Sequence, residues 1–188
     1  MLISNTHKFI FVHIWKAGGT SVRKSLSNYT NNDKTQIPKH ASLKEIINYI
    51  GNENFSKYFS FSFVRNPWDI QVSNYFYIRQ RPEHYAYEWM SKFECFDEYI
   101  EWRVSEERIL QFDMICDSSE KIAVNFVGKF EKLNEDFRII CNKIGVNAKL
   151  PHTNRSTHQN YRKYYTPFSK KLIEVAYEKD IEHFGYKY

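Results

Sequence analysis

Two stretches of this sequence carry residue types that bind phosphate groups. The first, FVHIWKAGGTSVRKSL, contains an ammonium group, two glycines and two hydroxyls in close order: Lys16, Gly18, Gly19, Thr20 and Ser21. Glycines let backbone N–H groups approach an anion, and a following helix N-terminus adds the positive end of its dipole. The lysine precedes the glycines, whereas the nucleotide-binding pattern G-x-x-x-x-G-K-[ST] has it after them. The stretch predicts a phosphate site of another kind; the alternative is an ordinary Gly-Gly turn beside a solvated lysine.

The second stretch surrounds Arg65, which directly follows the apolar run YFSFSFV and precedes Ser73 by eight residues. An arginine at the end of a buried strand costs free energy unless it is paired or binds an anion. Arg65 is therefore a second candidate ligand of a phosphate group. The alternative is an ion pair between Arg65 and Asp69 or another nearby carboxylate.

Predicted strands position both groups. KFIFVHI and YFSFSFV are continuous apolar runs, typical of strands covered on both faces of a parallel sheet, and AVNFVGKFE predicts a further strand. Ligands of α/β sheets bind beyond the carboxyl ends of the strands. We therefore expect both groups at the same edge of the sheet.

Helical patterns follow the strands. SLKEIINYIG has apolar residues at helical spacing, with Ser42 as its N-cap and Gly51 at its end. Pro67 suits the first turn of a helix after Arg65, and LNEDFRIICNKIG is amphipathic and ends in a glycine. A last helix is expected after Thr166. CFDEYIEWRV predicts a helix, and SEERILQFDMICDSSEK a short strand or a lid.

This alternation of strands and helices predicts the α/β class. We expect a single domain over residues 1–188, a P-loop-like three-layer α/β fold with a central parallel sheet flanked by helices. The 42% hydrophobic and 18% aromatic content excludes a disordered chain. The net charge of +5 fits an anionic ligand but is below that of typical nucleic-acid binders, so no nucleic-acid partner is expected.

The cysteines and the apolar runs indicate the compartment of the protein and argue against several kinds of site. Cys95, Cys116 and Cys141 are an odd number without a C-x-x-C pair, which argues for a reducing compartment and against a disulfide framework or a zinc site. No apolar run approaches the roughly 20 residues of a membrane helix, and the N-terminus lacks a signal-peptide layout. We expect a cytoplasmic protein without stable membrane insertion.

The quoted stretches carry a family resemblance. FVHIWKAGGTSV resembles the 5′-phosphosulfate loop of the sulfotransferases that use 3′-phosphoadenosine 5′-phosphosulfate (PAPS) and release adenosine 3′,5′-bisphosphate (PAP). FSFVRNPWDIQVSNYF resembles their 3′-phosphate element, in the form found in Golgi and bacterial carbohydrate sulfotransferases. FVGKFEKLNEDF and LPHTNRSTHQNYRKYYT are similar to later segments of the bacterial members. The resemblance spans nearly the whole chain. The small size, together with the absence of a membrane anchor, indicates a bacterial cytoplasmic enzyme.

The resemblance implies roles for individual residues. Lys16 would be the catalytic cation that stabilises the leaving phosphate, and Arg65 with Ser73 would bind the 3′-phosphate. The 5′-phosphate would be bound by Lys16, Ala17, Gly18, Gly19, Thr20 and Ser21. The late basic loop would fold over the nucleotide through Asn154, Arg155, Ser156, Tyr161 and Arg162. No metal is required, because lysine and arginine neutralise the charge that Mg²⁺ neutralises in kinases.

A base that accepts the proton of the acceptor hydroxyl is also expected. His40 is the candidate, because a histidine base similarly precedes the 3′-phosphate strand in the glycan 2-O-sulfotransferases that this chain resembles. The alternative is a surface or capping histidine. His13 lies within the first predicted strand and is interpreted as a packed or orienting residue.

The chain departs from the family pattern at two positions, where Trp15 replaces the usual proline and Ala17 the usual threonine. Neither change removes a charged group, so activity is expected to survive. The leading hypothesis is in-line transfer of a sulfuryl group from PAPS to a hydroxyl, with a carbohydrate acceptor implied by the resemblance. The alternatives are a P-loop-type kinase using ATP and Mg²⁺, and a non-enzymatic basic module that binds a polyanion.

Overall fold

A computed structural model describes residues 1–30, 37–151 and 157–188 of the chain. Its sheet has four strands in the order β1-β2-β3-β4: β1 (Leu2–Ser4), β2 (Phe9–Val12), β3 (Phe59–Val64) and β4 (Phe126–Lys129). β2, β3 and β4 are parallel, and β1 pairs antiparallel with β2. The predicted strands are therefore present, and the short antiparallel β1 was not predicted.

The described residues contain ten α-helices and three 3₁₀ turns. The α-helices are α1 (Gly19–Leu26), α2 (Leu43–Ile50), α3 (Asn52–Phe55), α4 (Pro67–Arg79), α5 (Tyr87–Met90), α6 (Phe96–Ser105), α7 (Gln111–Ile115), α8 (Leu133–Ile144), α9 (Pro167–Ala176) and α10 (Glu178–Phe184). The 3₁₀ turns are Ser27–Tyr29, Phe130–Lys132 and Tyr161–Lys163. The predicted α/β class, with a mostly parallel sheet flanked by helices, is confirmed.

Local sequence signals explain most helix ends. Ser42 and Glu45 form a reciprocal capping box at the start of α2, and Asn66 caps α4, where Pro67 is the first helical residue. Gly145 ends α8 in the left-handed conformation, with φ of 68°. The segment after α6 forms α7 and an isolated bridge between Cys116 and Ile122, rather than a regular strand.

The chain divides into two units with dense internal contacts. Unit 1 comprises Met1–Val64 with Gln111–Asn154 and contains the whole sheet, whereas unit 2 comprises Arg65–Leu110 with Arg155–Tyr188 and is helical. The single domain expected from the sequence stays a prediction.

Phenyl rings form the core of unit 1 along one face of the sheet. Because side chains alternate along a strand, Phe9, Phe11 and His13 lie on the same face. The ring of Phe11 stacks on Phe61 of β3 at 5.2 Å between centroids and on His13 at 5.5 Å. His13 thus continues the row of rings beyond the end of β2.

Unit 2 has its own aromatic core between α4, α6 and α9. Trp68, Tyr75, Tyr99 and Ile173 are among its buried residues. The ring of Tyr75 meets the ring of Tyr99 at 5.3 Å, in a tilted arrangement. This packing fixes α4, which begins directly after Arg65.

Within the described ranges, no helix is both long enough and apolar enough to cross a membrane.

Candidate active site

The loop between β2 and α1 has a strained backbone at Lys16. Lys16 has a φ of 60° and Gly18 a φ of 80°, both in the left-handed region. A side chain in this region costs about 1–2 kcal/mol, and such strain often lies at functional sites. The turn carries the chain from the end of β2 to Gly19, where α1 begins.

Both glycines of this loop are required by packing. A Cβ atom at Gly18 would lie 2.8 Å from Cδ2 of Leu133 in α8. A Cβ atom at Gly19 would overlap with Cδ2 and Nε2 of the His13 ring. The loop is therefore held between α8 and His13, and a larger residue at Gly19 would displace the His13 ring.

The loop offers donors and no carboxylate. The stretch from Phe11 to Leu26 contains no Asp or Glu, and Gly18 provides no side-chain cap for α1. The hydroxyl of Thr20 is on an exposed residue, whereas Ser21 is buried. With the ammonium group of Lys16 and the helix N-terminus, this donor set fits a phosphate or phosphosulfate group.

Ala17 is 1% exposed, and its methyl group is packed inside the protein. Its side chain has no hydrogen-bonding group to offer a ligand, so any contact with an anion must come from its backbone N–H. The partly buried Trp15 precedes Lys16 in the same loop.

His40 lies at the corner of a turn next to this loop. The N–H of Ala41 donates to the carbonyl of Pro38 at 3.1 Å, and the capping box of α2 follows directly. Buried Ala41 and Leu43 anchor the turn in the core. The turn therefore presents His40, which is solvent-exposed, from a fixed backbone.

One hydrogen bond defines the tautomer of His40. Its Nδ1 atom lies 2.8 Å from the carbonyl oxygen of His13. Because a carbonyl can only accept, Nδ1 must donate, and Nε2 of the neutral ring is left as the basic nitrogen. Partial burial and the positive charges of Lys39, the N-terminus and Arg23 lower the pKa of His40, opposed by the bond to His13. His40 is therefore neutral near pH 7 and can accept a proton.

His13 connects the phosphate loop to His40. Its ring lies against Gly19, and its centroid is 4.4 Å from that of His40. Burial, with the charge of His40, lowers the pKa of His13 to about 2. His13 is consequently a neutral, packed residue that lies between the two candidate catalytic elements.

In unit 2, Arg65 forms an ion pair with Asp69. Both Nε and Nη2 of Arg65 bind the same carboxylate oxygen, at 2.9 and 2.8 Å, and the Arg65 side chain is 8% exposed. The alternative interpretation of Arg65, an ion pair, is thus present in the structure. Buried Ser73 lies one helical turn beyond Asp69, on the same face of α4.

The late segment of unit 2 contacts the start of α4. The side-chain amide of Asn66 donates to the carbonyl of Lys187 at 3.0 Å and to the hydroxyl of Tyr161 at 3.4 Å. The guanidinium of Arg162 stacks over the rings of Tyr161 and Tyr188. Tyr161 and Arg162 are therefore brought to the helix that follows Arg65.

The structure thus groups the predicted residues within each unit. Unit 1 brings the Lys16–Ser21 loop and His40 together through His13, and unit 2 brings Arg65, Ser73, Tyr161 and Arg162 to α4. The candidates Asn154, Arg155 and Ser156 lie outside the described residues. Asn66 and Tyr188 were not singled out from the sequence. Asn66 could have been identified, because an asparagine directly before a proline is a signal for the N-cap of a helix.

Among the described residues, no three His, Cys, Asp or Glu side chains are grouped so that they could hold a metal ion.

Comparisons with known proteins identify the family and the fold. A family model described as the sulfotransferase family matches residues 1–187. An uncharacterized protein of Archaeoglobus fulgidus is 31% identical over 121 residues, which are 63% of this chain and 94% of that protein. The fold is similar to that of a mouse sulfotransferase solved in complex with PAP, with a TM-score of 0.60 and 14% identity, covering 96% of this chain and 86% of that one.

Proposed function

Because this chain belongs to the sulfotransferase family, we propose that it transfers a sulfuryl group from PAPS to a hydroxyl group of an acceptor. The loop between β2 and α1 carries the proposal. It combines the Lys16 ammonium group, two glycines and two hydroxyls with the N-terminus of α1, and it contains no carboxylate. The PAP complex of the mouse sulfotransferase of similar fold supports the choice of donor.

The donor would be bound through two groups of residues. In this proposal Lys16, the backbone from Ala17 to Gly19, and the hydroxyls of Thr20 and Ser21 hold the 5′-phosphosulfate. Arg65 and Ser73 hold the 3′-phosphate, with the guanidinium oriented by its bond to Asp69. The late segment contributes Tyr161 and Arg162, together with Asn154, Arg155 and Ser156.

His40 and Lys16 would carry the chemistry. PAPS supplies the sulfuryl group as a mixed anhydride of sulfate and phosphate. Nε2 of His40 accepts the proton of the acceptor hydroxyl while its oxygen attacks sulfur in line with the bond that breaks. Lys16 stabilises the negative charge that develops on the departing phosphate oxygen. The electron pair of the broken S–O bond stays on PAP, and the proton stays on His40.

We also propose that the acceptor is a carbohydrate, such as a glycan precursor in the cytoplasm of a bacterium. The support is the form of the stretch FSFVRNPWDIQVSNYF, which resembles carbohydrate sulfotransferases. Lysine and arginine supply the positive charge that phosphate groups need, so the proposal includes no metal.

Calorimetric titration tests the donor. PAP, adenosine 5′-monophosphate, ADP and ATP with Mg²⁺ would be titrated into the protein, with EDTA present in the first three. The proposal expects PAP to bind most tightly and without metal, because of its 3′-phosphate. Preference for ATP with Mg²⁺ would favour the kinase alternative. Binding of RNA without any nucleotide binding would favour the polyanion module.

A further inference from the structure

Positively charged groups act on His40, and no carboxylate is among the main described groups that shift the pKa values of His40, Lys39 and His13. We use the name cationic cluster for the cations Arg23 and Lys39 together with the neutral rings of His13 and His40. Arg23 lowers the pKa values of His13, Lys39 and His40, and in each case partial or full burial is the larger cause. Burial, with the charges of Arg23 and Lys39, also lowers the pKa of the Met1 amino group, to about 5.

Arg23 reaches the cluster from α1. It follows Gly19 by four residues, so both lie on the same face of the helix, and Gly19 is the residue packed against the His13 ring. The Nε atom of Arg23 is buried and has no hydrogen-bond partner among the described residues. A buried donor of this kind costs free energy until it is paired.

Lys39 reaches the cluster from the turn that carries His40. The amino group of Met1 donates to the backbone carbonyl of Lys39, and the turn is closed by the bond from Ala41 to Pro38. Among the described residues, the carboxylate of Glu45, six positions after Lys39, accepts hydrogen bonds from the backbone N–H and the hydroxyl of Ser42 instead, at 2.7 and 2.8 Å.

Buried Nδ1 of His13 also lacks a hydrogen-bond partner among the described residues, and His13 is 1% exposed. The cluster thus combines the positive charges of Arg23 and Lys39 with two buried nitrogens that have no hydrogen-bond partner among the described residues. Arginine and lysine in such surroundings bind oxyanions through charge-assisted hydrogen bonds.

We propose that Arg23 and Lys39 form a subsite beside His40 that binds an oxyanion, a sulfate or carboxylate group. This inference rests on the proposed function, because the two candidate sources of the oxyanion are the donor and the acceptor of that reaction. One source is the sulfuryl end of the donor, and the other is an acidic group on the acceptor. Either would place negative charge next to the base and hold the reacting partner at His40.

Nuclear magnetic resonance of the histidine rings tests the subsite. With PAP at saturation, sodium sulfate would be titrated against sodium chloride at equal ionic strength while the pKa values of His40 and His13 are followed. Sulfate in the subsite should raise the pKa of His40 by about one unit, because a nearby anion favours the imidazolium. Arg23→Gln and Lys39→Gln should each abolish this response. Lys24→Gln removes an equal charge from the next, exposed position of α1 and should keep it.

Two results would overturn the subsite. One is a response to sulfate no larger than that to chloride. The other is a response that survives in Lys39→Gln or in folded Arg23→Gln. Lys39 lies on an exposed turn, so its variant provides the test even where loss of Arg23 prevents folding.

Affinities then identify the source of the oxyanion. PAPS and PAP differ by the sulfuryl group alone. If the subsite binds that group, Arg23→Gln should lower the affinity for PAPS by about tenfold and leave the affinity for PAP unchanged. If the subsite binds an acidic group of the acceptor, Arg23→Gln should change neither the affinity for PAPS nor the affinity for PAP. Glucuronate should then raise the pKa of His40 where glucose does not, and Arg23→Gln should abolish the effect.

The absence of both patterns would overturn the proposal. Failure of PAP to bind the wild-type protein would contradict the proposed function alone, because the sulfate titration can be repeated without nucleotide.

Discussion

At the residue scale, Lys16 combines a charge with an unfavourable backbone conformation. Its φ of 60° is uncommon for a residue with a side chain, and it immediately precedes the turn into α1. The conformation is kept because β2 on one side and Gly18, packed against Leu133, on the other hold the loop. A fixed cation is what stabilises charge that develops on a leaving group.

Lys16→Ala should reduce turnover by about 100- to 1,000-fold, the range seen when one preorganised donor is removed. PAP affinity should fall less, because glycine amides and hydroxyls remain. The measurement is sulfuryl transfer from PAPS beside calorimetry with PAP, with Lys24→Ala as the matched lysine control. Unchanged turnover in Lys16→Ala would remove Lys16 from its catalytic role.

His40 should determine the acid limb of the pH–rate profile. Only the neutral ring accepts a proton, and the pKa of His40 lies below its usual value of 6.5. The acid limb of kcat/KM should therefore have its midpoint below pH 6.5 and disappear in His40→Asn, with a lower residual rate. His183→Asn, at an exposed position, should leave the profile unchanged. A midpoint above pH 6.5 would contradict the assignment.

At the element scale, the junction of β3 and α4 orients Arg65. Asp69 lies at the third position of α4, where the helix N-terminus favours a carboxylate, and it binds two nitrogens of the guanidinium. Removing Arg65 would leave Asp69, which is 18% exposed, without this partner. Arg65→Lys is therefore a useful second variant, since it keeps the charge but loses the planar fork.

Arg65→Ala and Arg65→Lys should both lower the affinity for PAP by about tenfold or more, and the affinity for adenosine 5′-monophosphate should change little. The difference between the two ligands isolates the 3′-phosphate. Calorimetry provides both affinities, and Arg138→Ala, at an exposed position of α8, serves as the control. An equal loss for both ligands would indicate a structural role for Arg65 instead.

The junction of β2 and α1 depends on Gly19. Gly19→Ala should lower the free energy of unfolding by about 1–3 kcal/mol, because the new Cβ overlaps with the His13 ring. In the His13→Ala variant, Gly19→Ala should lower the free energy of unfolding by much less. Urea unfolding measures all four proteins of this cycle, and Gly19 has no positive φ that would add backbone strain to the cost. An equal cost in both backgrounds would exclude the His13 contact as its cause.

At the scale of the whole molecule, the buried ring of His13 links folding to pH. Its pKa of about 2 in the folded protein compares with 6.5 for a free histidine. The unfolded chain therefore binds more protons below pH 6.5, and stability is lost as the pH falls through this range. His40, whose pKa is also lowered, acts in the same direction.

The free energy of unfolding should fall below pH 6.5 by up to about 1.4 kcal/mol per pH unit for the proton that His13 takes up on unfolding. His13→Asn should make this dependence shallower, whereas His183→Asn should not. Urea unfolding followed by circular dichroism between pH 7 and pH 4 provides the slopes. Identical slopes for the His13 variant and the wild type would contradict a buried neutral ring.

Much of the fold follows from local sequence. The apolar runs predicted β2, β3 and β4, and serine, proline and glycine signals predicted the ends of α2, α4 and α8. These signals act over one or two turns of chain, so they need no tertiary partner. β1 was missed because three residues are too few for a period, and α7 because a five-residue helix has little pattern of its own.

The α/β class, the family resemblance and the type of residue at each candidate position follow from the sequence alone, because they depend on local pattern and on motifs. The folded structure was needed to establish that His13 lies between Gly19 and His40, that Asp69 rather than another carboxylate binds Arg65, and that the charges of Arg23 and Lys39 both lower the pKa of His40. Such contacts join residues far apart in the chain or choose among several possible partners. Side-chain packing makes that choice, and no spacing in the sequence encodes it directly.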